Sequence, residues 1–202
     1  YAINKASGDW ISTLDSDDLF LINKLEEFKK VIDKSKIDHP ILIGSGVSLI
    51  NEKGKIMKNY YYPTKSKILK KNLLKLQKFP AHSSLVCHRK TLLEVGGYNE
   101  LYYRSQDYDL WLRLMNKGRF YCTKKILILY RTHNANVSNK NVNKYSQFHY
   151  GIAALICNFL RANKFYDPSH NKKKFNFLLE FIDSIYQSSF QYEIIQKKKC
   201  YR

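Results

Sequence analysis

Apolar residues recur along this chain with two distinct spacings, and the spacing changes many times. Asp9–Leu14 is a short run rich in β-formers and reads as a strand, with Asp15–Asp18 at its carboxyl end. Leu21, Leu25, Phe28 and Ile32 then recur at helical intervals, so an amphipathic helix follows, with Asp17 or Asp18 as the candidate cap. Ile41–Ile50 reads as a strand, Asn51–Gly54 as a turn and Ile56–Tyr62 as the returning arm of a hairpin. Ser66–Phe79 has Leu69, Leu73 and Leu76 on one face and lysines mostly off it, which predicts a basic amphipathic helix. Ser83–Cys87 is a predicted strand, and Lys90–Val95 a helical turn stopped at Gly96-Gly97. Ser105 is the expected cap of a helix running through Asn116, with Gly118 as its stop, and Phe120–Tyr130 is a strand. Beyond about Asn139 the pattern is helical, with apolar periodicity at Ile152–Leu160 and Phe177–Ile185.

Strands alternating with helices predict an α/β domain with a mainly parallel sheet. Ligands of such sheets bind beyond the carboxyl ends of strands, which draws attention to Asp15–Asp18. A length of 202 residues suits one domain with a helical tail. No apolar run reaches the roughly 18–20 residues of a membrane span; Ile41–Ile50 and Gly151–Leu160 come nearest. Four aspartates occupy the place where the apolar core of a signal peptide would lie. The chain opens at Tyr1 and reaches a strand within fourteen residues, which suggests a fragment lacking an N-terminal part.

Charge changes the picture. Lys and Arg total 35 against 17 Asp and Glu, a formal net charge of +18, so an anionic partner is expected. The charge is segregated: Lys53–Lys90 carries eleven basic residues and no acid, whereas Tyr1–Asp18 carries four Asp and one Lys. An acidic cluster beside a basic stretch suggests a metal ion and an anionic substrate. Cys87, Cys122, Cys157 and Cys200 form no C-x-x-C pair, which argues against a zinc ribbon or disulfide scaffold and for a reduced, cytoplasmic setting. Asn136–Ser138 matches a glycosylation sequon, which a cytoplasmic protein would not use.

Three carboxylates in four residues repel one another unless a cation is present, and Mg2+ or Mn2+ prefers oxygen ligands. An EF-hand does not fit, since Leu19 and Phe20 stand where an oxygen ligand and Gly are required. The competing reading is a solvated Asp-rich helix start. Asp107, in the first turn after Ser105, can be a general base or simply complement the helix dipole. His82 and His88 flank Cys87 at a spacing no zinc site uses, and read as structural strand residues.

Four segments taken in order are more specific. Asn4–Asp18 (NKASGDWISTLDSDD) resembles the strand and D-x-D segment of family 2 glycosyltransferases, and Asn23–Glu26 fits the helix that follows it there. Val95–Glu100 resembles the family's Gly-Gly-aromatic acceptor loop. Gln106–Arg113 resembles its Glu-Asp-aromatic-x-Leu-Trp-Leu-Arg helix, and Tyr130–His133 its Tyr-Arg-x-His segment. Gln106 departs from the family's usual Glu, while Asp107 is retained.

The resemblance implies a partial GT-A (Rossmann-like) mixed sheet flanked by helices over residues 1–138, followed by a helical extension over 139–202. About one third of a typical ~250-residue enzyme domain, the part that holds the nucleotide base, would precede Tyr1. The implied activity is hexosyl transfer in surface polysaccharide or lipopolysaccharide synthesis. The donor is a nucleotide-diphosphate sugar and the acceptor a saccharide or lipid-linked hydroxyl. Asp107 is then the catalytic base, Asp17 and Asp15 the metal ligands, and Asp15 and Asp18 donor-binding residues. Gly96, Gly97, Tyr98 and Trp111 line the acceptor side. His133 either completes the metal shell, touches the diphosphate, or is a hydrogen-bonded loop residue.

The basic helix Ser66–Phe79, aided by Lys172–Lys174 and Lys197–Lys199, either is simply solvated or meets an anionic membrane. Two rivals stand beside the transferase reading. One is a basic nucleic-acid-binding protein, although no specific nucleic-acid signature is present. The other is an inactive, truncated transferase remnant with an unpaired sheet edge.

Overall fold

A computed structural model describes residues 1–34, 40–133 and 144–200, with side chains placed as far as Ser189. The sequon at Asn136–Ser138 lies outside the described residues. The elements run α1 (Ala2–Lys5), β1 (Trp10–Ser12), β2 (Leu19–Phe20), α2 (Lys24–Lys34), β3 (Pro40–Ile50), β4 (Ile56–Tyr60) and α3 (Ser66–Leu74). They continue with β5 (Leu85–His88), α4 (Arg89–Glu94), α5 (Gln106–Leu114), β6 (Arg119–Arg131), α6 (Gln147–Ala162) and α7 (Lys172–Cys200). Two compact units result: one comprises residues 1–98 and 110–140, the other residues 99–109 and 141–202.

The first unit is a six-stranded mixed sheet in the order β1-β5-β3-β6-β2, with β4 also paired to β3. The expectation of a mainly parallel sheet is corrected here. Among the described residues only β3 and β6 pair in parallel; the β1–β5, β3–β5, β3–β4 and β2–β6 ladders are antiparallel. The reason is connectivity. A tight turn joins β3 to β4, where Gly54 takes φ +80° and its N–H donates to the Asn51 carbonyl, and such a turn can only reverse the chain. Following the ladders, β1, β3 and β6 point one way and β2, β4 and β5 the other. The carboxyl ends of β1, β3 and β6 therefore open on one side of the sheet.

β3 is the central strand and is buried almost throughout. Ile43 packs with Phe28, Val86 and Leu127 into a core cluster, flanked by Trp10, Val31 and Ile32. Gly46 is required by close approach: a Cβ there would meet the Tyr60 carbonyl oxygen at 2.8 Å.

Several local expectations shift. β2 intervenes between the acidic loop and α2, so neither Asp17 nor Asp18 caps that helix. The inward stripe of α2 is Lys24 and Phe28, both buried, with Val31 and Ile32 partly buried beside them, and Leu25 faces out. α3 ends at Leu74 rather than Phe79, because Leu76 enters a left-handed conformation at φ +52° and the Gln77 N–H turns back to the Asn72 carbonyl. Leu69 and Leu73 of α3 are buried and Leu76 is half-exposed, so two of the three leucines serve the fold itself. His82–Ser84 is a 3-10 turn, and the strand after it runs Leu85–His88. Ser105 sits at φ +53° instead of the extended backbone of an ordinary cap, and its hydroxyl donates to the Gln147 carbonyl.

The second unit is built around α6 and α7. Tyr102, Tyr150 and Phe175 form an aromatic cluster, with Tyr102 and Phe175 centroids 4.7 Å apart. Arg161 pairs with Asp167 and lies 3.5 Å from the fully buried Asp109. Burial raises Asp167, but hydrogen bonds from Ser169 and the Arg161 charge outweigh it and hold the carboxyl below its ordinary value. Among the described residues no helix is long and apolar enough to cross a membrane. Cys87, Cys122 and Cys157 are buried free thiols that burial pushes up to about 12.

Candidate active site

The acidic loop after β1 is held on the sheet edge by groups distant in sequence. The Thr13 hydroxyl donates to the His82 carbonyl at 3.2 Å, and the Asp15 N–H donates to Ser83 Oγ at 3.2 Å. The Asp18 N–H closes a turn onto the Asp15 carbonyl. From the end of β6, the Arg131 N–H donates to Asp18 Oδ1 at 2.9 Å and its Nε to the Asp17 carbonyl at 3.0 Å. Arg131 Nη1 reaches the Asn51 and Glu52 carbonyls beyond β3. One guanidinium thus ties together the carboxyl ends of three strands that point the same way.

Lys24 braces the loop from below. Its ammonium is buried and donates to Ser12 Oγ at 3.1 Å and to the Ser83 carbonyl at 2.7 Å. It also lies 3.3 Å above the Phe20 ring, a favourable place for a cation. Burial pulls Lys24 down to about 7, partly offset by the Asp18 charge.

The three aspartates differ sharply. The Asp17 carboxylate is partly exposed and faces His133 Nε2 at 2.9 Å. Asp15 is half-exposed and held below its ordinary value chiefly by the hydrogen bond with His82, whose Nδ1 lies 3.4 Å from it. Asp18 is buried, and that burial raises it, with the Asp17 and Asp15 charges adding and the Ser83 and Arg131 bonds opposing. Asp18 therefore anchors the loop to β6, while Asp15 and Asp17 present oxygens outward.

The glycine loop belongs to the same unit. Gly96 and Gly97 take φ +82° and +65°, a conformation L side chains rarely adopt. Arg113 clasps that loop by donating to the Val95 and Gly97 carbonyls. Tyr98 OH lies 2.7 Å from His82 Nε2, so His82 bridges the glycine loop and Asp15. The Trp111 ring centroid is 6.2 Å from that of His82, and its buried indole N–H has no hydrogen-bond partner among the described residues. Asp107 occupies the first turn of α5, half-exposed, with one carboxylate oxygen accepting the Tyr108 N–H at 2.8 Å.

The structure thus brings Asp15, Asp17, Asp18, His133, Gly96, Gly97, Tyr98 and Trp111 into one compact unit, and places Asp107 at a helix start in the other. The residue order marks His82 as a structural strand residue; it stands instead in a 3-10 turn, and its contacts with Asp15 and Tyr98 are not visible in local sequence. The residue order also left Lys24, Arg113 and Arg131 without roles. All three basic residues stand inside the segments that carried the family resemblance. That was the only signal available, because their partners lie up to 114 residues away.

Asp17 and His133 offer one oxygen and one nitrogen to a cation. Among the described residues no group of three or more His, Cys, Asp or Glu converges as a complete metal cage. That donor set suits Mg2+ or Mn2+ bound by one or two protein groups with substrate phosphates completing the shell.

The family model described as glycosyltransferase-like family 2 matches residues 2–178, and the chain belongs to that family. It is 31% identical over 159 residues to an Escherichia coli protein described as the O-antigen biosynthesis glycosyltransferase WbnJ, covering 77% of this chain and 60% of that protein. It is 34% identical over 153 residues to the glycosyltransferase MJ1057 of Methanocaldococcus jannaschii, covering 74% of this chain and 51% of that one. A crystal structure of S. aureus TarS aligns with 80% of the chain and 31% of its own, at 13% identity and a TM-score of 0.47. The chain therefore spans between about half and three fifths of the length of these two relatives.

Proposed function

We propose that this chain carries the catalytic part of an inverting glycosyltransferase. Its donor would be a nucleotide-diphosphate sugar and its acceptor a saccharide or lipid-linked hydroxyl in surface polysaccharide or lipopolysaccharide synthesis. The observation that carries the reading is the convergence of the carboxyl ends of β1, β3 and β6, which sets the Asp17 carboxylate against His133 at 2.9 Å. Family membership and the O-antigen relative support the reaction class.

The residues divide the work. Asp17 and His133 would hold Mg2+ or Mn2+, which would supply Lewis-acid neutralisation of the departing diphosphate, while Asp15, held by His82, would face the donor beside them. Asp18 keeps the loop in place from inside, Arg131 holds the Asp17 carbonyl, and Lys24 ties Ser12 at the end of β1 to the Ser83 carbonyl. Asp107, partly exposed in the first turn of α5, would take the proton of the acceptor hydroxyl. That oxygen bonds to the anomeric carbon as the carbon–phosphate-oxygen bond on the opposite face breaks, which inverts the configuration and needs no covalent intermediate. The glycine loop and the Trp111 indole would position the acceptor.

The test is sugar transfer by the full chain, across a panel of nucleotide sugars, with Asp17→Asn and Asp107→Asn. Each should lower turnover by roughly 10²–10⁴-fold while the fold is retained. Chelation should abolish turnover, and Mn2+ or Mg2+ should restore it. Near-wild-type transfer by either variant would remove that residue from its role.

A further inference from the structure

The helical unit carries an exposed apolar surface edged by lysines. α7 is apolar on two sides. Phe175, Leu179 and Ile182 face inward and are buried. Phe177 and Phe181, one turn apart, are 71% and 54% exposed, and Ile185 continues the row at 51%. Phe165 and Tyr166, in the stretch between α6 and α7, are also exposed. Pro168, Lys173, Lys174, Phe177, Leu178 and Phe181 line an open groove whose walls are almost wholly apolar.

Isolated exposed aromatics need no explanation, but a contiguous group edged by one sign of charge does. Lys164, Lys172, Lys173 and Lys174 are exposed around this face, and the Lys174 ammonium lies 3.8 Å over the Tyr166 ring. The acids near it are Asp167, turned inward onto Arg161, Asp183, which faces His149 at 3.3 Å, and the exposed Glu180. The balance is cationic, as it is for the whole chain at +18.

We propose that this face rests on an anionic lipid bilayer. Phe177 and Phe181 would enter the headgroup–acyl boundary, and Lys172–Lys174 would lie among the lipid phosphates. Aromatic rings prefer that boundary, and flanking lysines gain from the negative surface potential. The contact thus sits on α7, not on α3, where Leu69 and Leu73 are already committed to the core. The transferase reading supplies the purpose, a lipid-linked acceptor, but membrane binding is measured without any sugar transfer, so the two fail separately.

The test is partitioning of the full chain onto phosphatidylcholine vesicles with and without phosphatidylglycerol. Binding should require the anionic lipid. Phe177→Trp should then give an indole emission that shifts to the blue on binding and is quenched by brominated acyl chains, over the background of Trp10 and Trp111. Phe177→Ser with Phe181→Ser should weaken partitioning by about tenfold or more at unchanged circular dichroism. The proposal is overturned if no binding occurs at low salt. It is overturned equally if the serine pair binds as wild type and the new indole is unquenched, which would mean adsorption through lysines elsewhere. It also falls if sedimentation velocity shows these phenylalanines joining two copies of the chain.

Discussion

Lys24→Met isolates the charge buried beneath the acidic loop. In the folded chain burial lowers this ammonium from 10.5 to about 7, whereas the unfolded chain titrates near the ordinary value. Above pH 10.5 both forms are neutral and no penalty exists. As pH falls towards 7 the unfolded chain binds a proton that the folded chain resists, so stability declines by at most ~1.4 kcal/mol per pH unit. Below 7 the full penalty of about 5 kcal/mol applies, an upper bound that relaxation around the site reduces. Methionine is of similar length and carries no charge. It removes this penalty but leaves the Ser83 carbonyl without the lysine donor, a cost of about 1–3 kcal/mol. At pH 7 the two effects oppose, and the variant should be as stable as wild type or more so. The decisive quantity is the difference with pH: from pH 7 to about pH 9 the wild type should gain about 2 kcal/mol on the variant. Urea titrations of both proteins at matched pH values measure it. Parallel curves, with a constant difference between the proteins, would mean that the ammonium titrates as if solvated, and the account of Lys24 as a desolvated brace would fail.

Other substitutions probe the frame around the site. Arg113→Gln loses two charge-assisted hydrogen bonds to the Val95–Gly97 backbone, so thermal stability should fall and the acceptor KM should rise more than kcat changes. An unchanged KM would detach that loop from the acceptor. Gly46→Ala drives a methyl against the Tyr60 carbonyl oxygen at 2.8 Å, a backbone atom that cannot yield, and should cost roughly 1–3 kcal/mol in chemical denaturation.

The alternation of apolar positions revealed most elements of the sheet, including the β3–β4 hairpin, whose turn chemistry at Asn51–Gly54 is local. It misjudged α2 because β2 is two residues long and leaves no period, so the start of the helix, and with it the outward face of Leu25, was misplaced. It overran α3 because Leu76 stops the helix with a left-handed backbone and no glycine to announce it. The direction of strands was not legible, since an alternating pattern reads the same in either sense. The partners of His82 were not legible either, since Asp15 and Tyr98 lie 67 and 16 residues away.

What the sequence by itself determined is the inventory: a carboxylate loop after a strand, a glycine loop, an acidic helix start and a strand ending in Arg131 and His133. These depend on local backbone preference and on residue chemistry, and both are written in consecutive positions. The tertiary structure decided how that inventory is used. Only pairing β3 with β6 in parallel brings the ends of β1, β3 and β6 together, so that Arg131 can bind three chain segments and His133 can face Asp17. Only packing distinguishes Asp18, buried as an anchor, from Asp17, partly exposed against His133, and turns Lys24 from a helix-surface lysine into a buried brace. Equal residue types acquire different roles because the cost of removing a charge from water depends on what surrounds it, and those surroundings are assembled from distant parts of the chain.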